Sequence, residues 1–233
     1  MIIYGKNPIR EAVFASRPIY SVFIDKNFND SKFLSFLKEK NIPWKPVEKG
    51  YLNQITENAV HQGIAADVKD YVFYDLDEIV KSKKVLNLLI LDELSDPHNL
   101  GAIIRTAEAV SLDGIIISKK SQVSLNSTVA KVSSGAIEHV KVILVSNINQ
   151  AISKLKENGI LVVGTDGNTD KAFTDVDPKV SAAFVLGNEG VGIRPLVKQN
   201  CDVLVKIPMS GKVNSLNVSV AAAIIMYRNF LKK

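Results

Sequence analysis

Uninterrupted apolar runs alternate with helical patterns over most of the chain after residue 85. The runs predict strands at Leu86–Leu91, Gly114–Ser118, Val140–Leu144, Ile160–Gly164, Ala182–Leu186 and Val203–Ile207. Helices are predicted between most of them and at the end of the chain, at Leu100–Val110, Leu125–Ser133, Ile148–Asn158, Pro195–Gln199 and Leu216–Leu231. Strands that are apolar on both faces and alternate with helices indicate an α/β fold with a doubly wound parallel sheet, covered on both sides.

The first 75 residues have a different pattern, with shorter elements that mix helix and strand. Helices are predicted at Pro8–Ala15, Lys32–Lys40 and Tyr51–Glu57, and extended segments at Ile19–Ile24, Pro43–Val47 and Gly63–Val68. Charged residues then cluster and the apolar pattern loosens up to residue 84. We therefore predict a small α/β domain at 1–75, a linker at 76–84 and a larger domain at 85–233.

Composition excludes several classes of protein. Of 233 residues, 46% are apolar and 23% are charged, which is typical of a globular protein and not of a disordered one. The apolar runs are much shorter than the roughly 20 residues that a membrane helix needs, and the single cysteine, Cys201, excludes an intramolecular disulfide. We expect a soluble cytoplasmic protein without a signal peptide. The net charge of +5 permits an anionic partner but does not require one.

Several common site motifs are absent. No G-x-G-x-x-G follows the strand Leu86–Leu91, which weakens the hypothesis of a nicotinamide-dependent oxidoreductase. The sequence has no Walker A motif and no G-x-S-x-G nucleophile motif. The three histidines and Cys201 do not have the spacing of zinc ligands, so no metal site is predicted.

Three polar segments follow predicted strands, and the first is Asp96–Arg105. Within it, Asn99 is a candidate N-cap for a helix that begins at Leu100. Arg105 lies within two turns of that helix start among apolar neighbours. It is therefore either a surface arginine with a buried stem or part of a site.

The other two segments are Leu186–Gly192 and Ile207–Ser219. Three glycines in the first allow close backbone approach to a ligand, and Glu189 is its only carboxylate; a plain tight turn is the alternative. In the second, Ser215 or Asn217 can cap the apolar helix that follows. Polar groups at a helix N-terminus also suit an anion or a developing oxyanion.

Together the three segments resemble the three motifs of the SpoU (TrmH-like) RNA ribose 2'-O-methyltransferases, in the same order. The match covers Asn99–Arg105, Leu186–Gly192 and Ile207–Ser219. Similarity to the RlmB-like subgroup, whose members carry an N-terminal RNA-binding domain, extends over Tyr4–Val13, His61–Ala65 and Ser133–Val140.

The resemblance implies a SPOUT-like catalytic domain with a C-terminal trefoil knot, a homodimer and S-adenosylmethionine as cofactor. Periodicity alone predicts no knot, because knots are rare. By motif position, backbone groups would hold the cofactor at Gly187, Ile207 and Leu216, with Gly135 nearby. The polar side chains that would serve the reaction are Asn99, Arg105, Glu189, Ser215 and Asn217.

Family accounts favour the arginine as proton acceptor, but a guanidinium stays protonated in proteins. We interpret Arg105 as binding an RNA phosphate and stabilising alkoxide character, and we leave the acceptor open. The basic residues predicted to bind RNA are Lys6, Arg10 and Arg17. Tyr4 and His61 either contact RNA or belong to the core and a loop.

The expected substrate is a guanosine of large-subunit ribosomal RNA. A transfer RNA 2'-O-methyltransferase is the nearest alternative. The other alternative is a non-catalytic RNA-binding protein of the same fold. A binding module, however, does not need Glu189 beside a glycine-rich turn.

Overall fold

The computed structural model describes residues 1–81, 85–120, 124–188, 190–212 and 215–230. Up to residue 72 the elements are β1 (Ile2–Tyr4), α1 (Lys6–Phe14), β2 (Ile19–Asp25), α2 (Ser31–Glu39), β3 (Trp44–Val47), α3 (Lys49–Ile55) and β4 (Ile64–Val68). The elements that follow are α4 (Leu76–Val80), β5 (Asn87–Leu91), α5 (Pro97–Ala109), β6 (Gly114–Ser118), α6 (Ser127–Val132), β7 (Val142–Val145), α7 (Ile148–Glu157), β8 (Leu161–Thr165), β9 (Ala182–Leu186), α8 (Pro195–Asn200), β10 (Val203–Val205) and α9 (Val218–Phe230).

The chain divides into two compact units, and the division is not a single cut. Unit 1 comprises Met1–Val72 together with Ser124–His139, which contains α6. Unit 2 comprises Phe73–Val123 and Val140–Lys233. Within the predicted linker 76–84, residues 76–80 form α4, whose Leu76 and Ile79 are buried in the core of unit 2.

Unit 2 is built on a parallel sheet of six strands in the order β10-β8-β9-β5-β6-β7. Alternate strand residues such as Leu88 and Ile90 pack with α4, α7 and α8 in one apolar core. On the other face α9 packs against β9 and α5 packs against α9. The predicted doubly wound parallel sheet is confirmed. In the described ranges no helix is long and apolar enough to cross a membrane.

The parallel arrangement places the carboxyl ends of all six strands at one edge of the sheet. The segments that follow β5, β9 and β10 begin at Asp92, Gly187 and Lys206 and therefore emerge at that same edge. Ligands of open α/β sheets bind at this edge, outside the strand ends.

The start of α5 differs from the sequence-based prediction. Helix α5 begins at Pro97 and is capped by Asp96, whose carboxylate accepts the His98 N–H at 2.9 Å. Proline suits the first helical position because its missing N–H would have no helical partner there. Asn99 consequently lies inside the first turn instead of capping a helix that begins at Leu100.

Unit 1 contains a mixed sheet in the order β1-β4-β2-β3. The pairs β1–β4 and β2–β4 are antiparallel, whereas β2–β3 is parallel. Its core includes the fully buried side chains Ile9, Phe33 and Leu37 from α1 and α2. The three-residue strand β1 was too short to be detected from its apolar pattern.

Arg17, one of the predicted RNA ligands, is buried in an ion pair within unit 1. Its Nη1 donates to Glu138 Oε1 at 2.7 Å, and the two side chains are only 7% and 4% exposed. The guanidinium also lies 3.6 Å from the Tyr71 ring centroid, and the Tyr71 hydroxyl donates to the same carboxylate. Burial and the charge of Glu138 raise the pKa of Tyr71. This position gives Arg17 a structural role in unit 1 and leaves little of its side chain accessible, and its contact with RNA stays a prediction.

The other two predicted RNA ligands lie at the surface of unit 1. The Lys6 ammonium donates to Asp30 at 2.8 Å, and the pair is partly exposed. The Arg10 guanidinium lies 5.8 Å and 5.9 Å from the ring centroids of Phe33 and Phe36. Both cations can still reach an anionic partner, so their RNA contacts remain predictions.

His61 is buried and hydrogen-bonded in unit 1, as expected of a core residue and not of an RNA contact. The Gly63 N–H donates to His61 Nδ1 at 3.0 Å, so the ring proton is on Nε2, which lies 2.9 Å from Asn53 Oδ1. Burial, and to a smaller extent Lys49, lowers the pKa of His61. Protonation of Nδ1 would place a second hydrogen against the Gly63 N–H.

We therefore expect acid to destabilise the fold through His61. As pH falls below about 6.5, the unfolded chain binds the proton first, so the free energy of unfolding decreases by up to about 1.4 kcal/mol for each unit that separates the two pKa values. Denaturant unfolding at about pH 7.5 and about pH 5.5 measures this loss. His61→Gln keeps a hydrogen-bond donor and acceptor but does not titrate, so its loss of stability between the two pH values should be smaller than that of the wild-type chain. An equal loss in both proteins would show that His61 is not the group responsible.

Candidate active site

A buried carboxylate, Asp92, lies directly after β5 at the carboxyl edge of the sheet. Its side chain is 0% exposed, yet it is ionisable and therefore needs a partner. Arg194 supplies three hydrogen bonds: Nε and Nη2 donate to Oδ1 at 2.9 Å and 2.6 Å, and the backbone N–H donates to Oδ2 at 3.0 Å. The bond to Asp92 raises the pKa of Arg194.

The glycine-rich loop after β9 is attached to the same place. A Cβ atom on Gly187 would overlap the carbonyl group of Gly192 and the nitrogen of Ile193, so only glycine fits at position 187. Asn188 and Gly192 exchange two backbone hydrogen bonds, at 3.1 Å and 2.8 Å, across the neck of the loop. Gly192 has a φ of +74°, which also favours glycine.

Two contacts fix this loop to the end of β5. The Asn188 amide donates to the Glu93 carbonyl oxygen at 3.1 Å, and Arg194 Nη1 lies 3.1 Å from Glu93 Oε1. Together with the Asp92 pair, these contacts form what we call the Asp92–Arg194 clamp. The predicted site residue Glu189 lies in the loop but outside the described residues.

The sequence analysis did not single out Asp92 or Arg194 as site residues. The available signal was an acidic residue immediately after a fully apolar strand, which is an expensive position for an unpaired charge. Its partner is 102 residues away, so no local pattern could identify the pair.

Asn99 and Asn217 connect the first and third motif segments. Asn217 Nδ2 donates to Asn99 Oδ1 at 3.1 Å, between the first turn of α5 and the start of α9. Asn217 also caps α9, because its Oδ1 accepts the Ser219 N–H at 2.9 Å. The predicted capping role of Asn217 is confirmed, and Asn99 is nearly buried beside it.

Arg105 is exposed on α5, six residues after Asn99. At about 100° and 1.5 Å per residue, its side chain is roughly 9 Å farther along the helix and about 120° around it. No hydrogen bond or ion pair joins its guanidinium to another described residue. Ser215, just before α9, is also exposed.

The residues predicted to hold the cofactor are divided between the two units. Gly187, Ile207 and Leu216 lie in the loops after β9 and β10, two strand positions apart, or about 10 Å at the usual strand spacing. Apolar side chains are exposed in these loops at Val191, Met209 and Leu216. Exposed apolar groups beside close-packed backbone can contact the apolar parts of a small ligand.

Gly135, in contrast, lies in unit 1 and has a packing role there. Its φ is +90°, and a Cβ atom would come within 2.7 Å of Glu11 and 3.2 Å of the Asn7 carbonyl oxygen on α1. The structure therefore explains this glycine by the close approach of α1, and its place near the cofactor stays a prediction.

Comparison with known proteins agrees with these motifs. The pattern of the SpoU rRNA methylase family matches residues 87–227, and that of the RNA 2'-O ribose methyltransferase substrate-binding domain matches residues 2–74. A putative TrmH family tRNA/rRNA methyltransferase from Staphylococcus aureus is 43% identical over 100% of this chain and 96% of its own length. The Bacillus subtilis protein YacO, described in the same words, is 41% identical over 99% and 95%.

Among solved structures, the SpoU methyltransferase AviRb from Streptomyces viridochromogenes, in complex with AdoMet, has the same fold. Its TM-score is 0.87 at 24% identity, over 100% of this chain and 89% of that one. The sequence matches extend over the whole chain and include each of the three motif segments. The chain therefore belongs to the SpoU (TrmH) family of RNA methyltransferases.

Proposed function

We propose that the protein transfers the methyl group of S-adenosylmethionine to the 2'-hydroxyl of a ribose in structured RNA. One observation carries the proposal: the first and third motif segments are hydrogen-bonded to each other, and the second is fixed to Glu93, just after β5, at the same carboxyl edge of the sheet. Asn217 of the third bonds to Asn99 of the first, and the loop of the second is clamped beside Asp92. The name of the substrate-binding pattern that matches residues 2–74 supports the ribose 2'-hydroxyl as the acceptor.

The residues present fit the cofactor. The loop that begins at Gly187 leaves no room for a side chain at its base, and the exposed side chains of Met209 and Leu216 offer apolar contacts. Gly187, Ile207 and Leu216 would hold the cofactor through backbone groups, as they do by motif position in the family. When bound, its sulfonium supplies an electrophilic methyl group.

In the reaction, the 2'-oxygen forms a bond to the methyl carbon while the carbon–sulfur bond breaks, and its electron pair stays on sulfur. The hydroxyl is a weak nucleophile, so its proton must leave as the new bond forms. Arg105 is protonated and exposed, so it can bind an RNA phosphate and stabilise negative charge on the 2'-oxygen. Asn99 and Asn217 position each other, and we assign Glu189 and Ser215 to the same site by motif position.

Arg105→Lys tests the role of the guanidinium. We expect the methylation rate to fall by about 100-fold, because lysine keeps the charge but loses the two-pronged contact. The calorimetric Kd for S-adenosylmethionine should not change. Glu108→Gln, on the same exposed stretch of α5, controls for helix perturbation and should methylate normally. Near-normal turnover in Arg105→Lys would exclude bidentate recognition.

The RNA that we propose as substrate is large-subunit ribosomal RNA, at a guanosine. Similarity of Tyr4–Val13 and Ser133–Val140 to the RlmB-like subgroup supports this choice, while the curated relatives are described as tRNA/rRNA methyltransferases. In unit 1, Lys6 and Arg10 are the cations that we propose to contact the RNA.

The test incubates the full chain and radiolabelled S-adenosylmethionine with ribosomal or transfer RNA, and maps 2'-O-methyl groups by resistance to alkaline cleavage. Label in a ribosomal guanosine supports the proposal, and label in transfer RNA alone assigns the alternative substrate. Absence of calorimetric heat at about 1 mM cofactor would instead favour a non-catalytic RNA-binding protein.

We further propose that two copies associate through α9, in the cytoplasm, as the family resemblance implies. Helix α9 leaves Val220 and Phe230 about half exposed, at 47% and 48%, and Tyr227 exposed beside Phe230. A second copy would cover this apolar surface. Light scattering should give a molecular mass twice that of the 25.5 kDa chain. A measured mass equal to that of one chain would exclude the dimer. The trefoil knot likewise stays a prediction from the resemblance.

A further inference from the structure

A groove in unit 2, apart from the motif loops, has the composition of a nucleoside site. Its volume is about 510 Å³, within the range of small-ligand pockets. One wall is the extended segment Phe73–Asp77 that leads into α4, and the other is the end of β7 with the start of α7. Lys119, just after β6, also lines the groove.

The first wall is held in a fixed position. The Tyr74 N–H donates to the Val142 carbonyl oxygen at 2.9 Å, and Tyr74 pairs in parallel with Ile143 at the edge of the sheet. Both aromatic side chains of this wall, Phe73 and Tyr74, are nevertheless exposed. An exposed aromatic side chain on a backbone segment held in place by the sheet is a surface on which an unpaired base can stack.

The charged side chains that line the groove differ in their partners. The two carboxylates are engaged, since Asp77 pairs with Lys154 and Asp75 accepts the Asp77 N–H at the start of α4. Lys119 is exposed, and no ion pair joins its ammonium to another described residue; its backbone N–H donates to Val145 and fixes it beside β7. Among the described residues that line the groove, Lys119 is thus a cation without an ion-pair partner, and its ammonium can bind a phosphate, although the Asp75 carboxylate on the same groove balances its charge.

A hydrogen-bonding group also lines the groove. Gln150, in the first turn of α7, is exposed and lines the groove, and its carboxamide can both donate and accept. That combination can pair with the edge of a base.

The groove is also within reach of the proposed reaction site. It opens at the carboxyl ends of β6 and β7, and the strand order places β7 two positions from β5, where Asp92 lies. Two strand spacings are about 10 Å. A nucleotide close to the methylated one in the RNA chain can span that distance.

We infer that this groove binds an unpaired nucleoside of the RNA substrate, flanking the nucleotide that is methylated. The base stacks on the Phe73–Tyr74 wall, Gln150 meets its edge, and Lys119 binds the phosphate. This inference rests on the proposed function, because it takes RNA as the substrate and the carboxyl edge as the reaction site.

The test compares Tyr74→Leu and Lys119→Glu with the wild-type chain in methylation of ribosomal RNA. We expect each variant to raise the KM for RNA about tenfold, the order expected for loss of one stacked base, with kcat and the Kd for S-adenosylmethionine unchanged. Lys179→Glu makes the same charge change before β9, at the opposite edge of the sheet, and should leave KM within about twofold. Ribosomal RNA that contains 4-thiouridine should cross-link to the peptide containing Phe73–Asp77.

The outcomes separate this inference from the proposed function. If the wild-type chain methylates RNA but both groove variants keep its KM, as Lys179→Glu does, the groove does not bind RNA. If the wild-type chain methylates no RNA, the proposed function fails, and affinity for the same thiouridine RNA decides the groove by itself. Equal affinity of the wild-type chain and both variants then overturns the inference.

Discussion

Gly187→Ala should abolish tight binding of S-adenosylmethionine. The new methyl group would overlap the carbonyl group of Gly192 and the nitrogen of Ile193, which are backbone atoms and cannot rotate away. The neck of the loop must therefore open, and the hydrogen bonds between Asn188 and Gly192 must stretch or break. A displacement of about 1 Å at a binding site can cost about 100-fold, so we expect the calorimetric Kd to rise at least that much.

Gly167→Ala is the matched control for this experiment. Gly167 lies in the loop after β8, and apart from its chain neighbours no atom of another described residue lies within 4 Å of the position that the new methyl group would take. Its φ is not in the left-handed region. The variant should bind the cofactor and methylate RNA as the wild-type chain does. If Gly187→Ala also binds normally, the loop does not need close backbone contact and our account of it is wrong.

Arg194→Ala should destabilise the fold by roughly 3–5 kcal/mol, because it leaves the buried Asp92 carboxylate with only the backbone N–H of residue 194. Denaturant unfolding measures the loss. The remaining folded protein should bind S-adenosylmethionine more weakly, since the Arg194 contacts to Asp92 and Glu93 are gone and only the Asn188 bond still fixes the glycine-rich loop to the end of β5 in the described residues. Arg194→Lys keeps the positive charge but loses the planar guanidinium group. Its free energy of unfolding should therefore lie between those of Arg194→Ala and the wild-type chain.

The double variant Asp92→Asn, Arg194→Ala shows whether the pair acts as a unit. With no charge left to bury, it should lose less stability than the sum of the single variants. Lys26→Ala removes a cation from the exposed pair with Glu48 and should change stability little. If the losses of stability in the single variants at Asp92 and Arg194 add up in the double variant, the two residues do not act as a pair.

The sequence predicted the fold of unit 2 well because its strands are buried on both faces. All five residues of Ala182–Leu186 are buried, so an uninterrupted apolar run was sufficient to find β9 with its correct limits. The start of α5 was predicted three residues late. Asp96 and Pro97 carried a local signal for the true start, and the more conspicuous Asn99 was chosen instead.

The candidate site was only partly predictable. The motif segments identified Asn99 and Asn217, which the structure connects by a hydrogen bond, and Gly187, which packs closely against Gly192 and Ile193. Asp92 and Arg194 were missed because their pairing depends on sheet order and not on any local pattern. Arg17 was assigned to RNA because it is a basic residue near the opening helix, and no local pattern shows its ion pair with Glu138, which is 121 residues away.

The two-part composition of unit 1 limits how the protein can be divided or recombined. A chain cut after residue 75 would keep Glu138 but remove Arg17 and Tyr71, so a carboxylate that is nearly buried would lose both of its partners. Gly135 would likewise lose its packing partner α1, which approaches so closely that only glycine fits at position 135. Exchange of unit 1 between relatives therefore requires that Met1–Val72 and Ser124–His139 be transplanted together, as a matched pair of inserts.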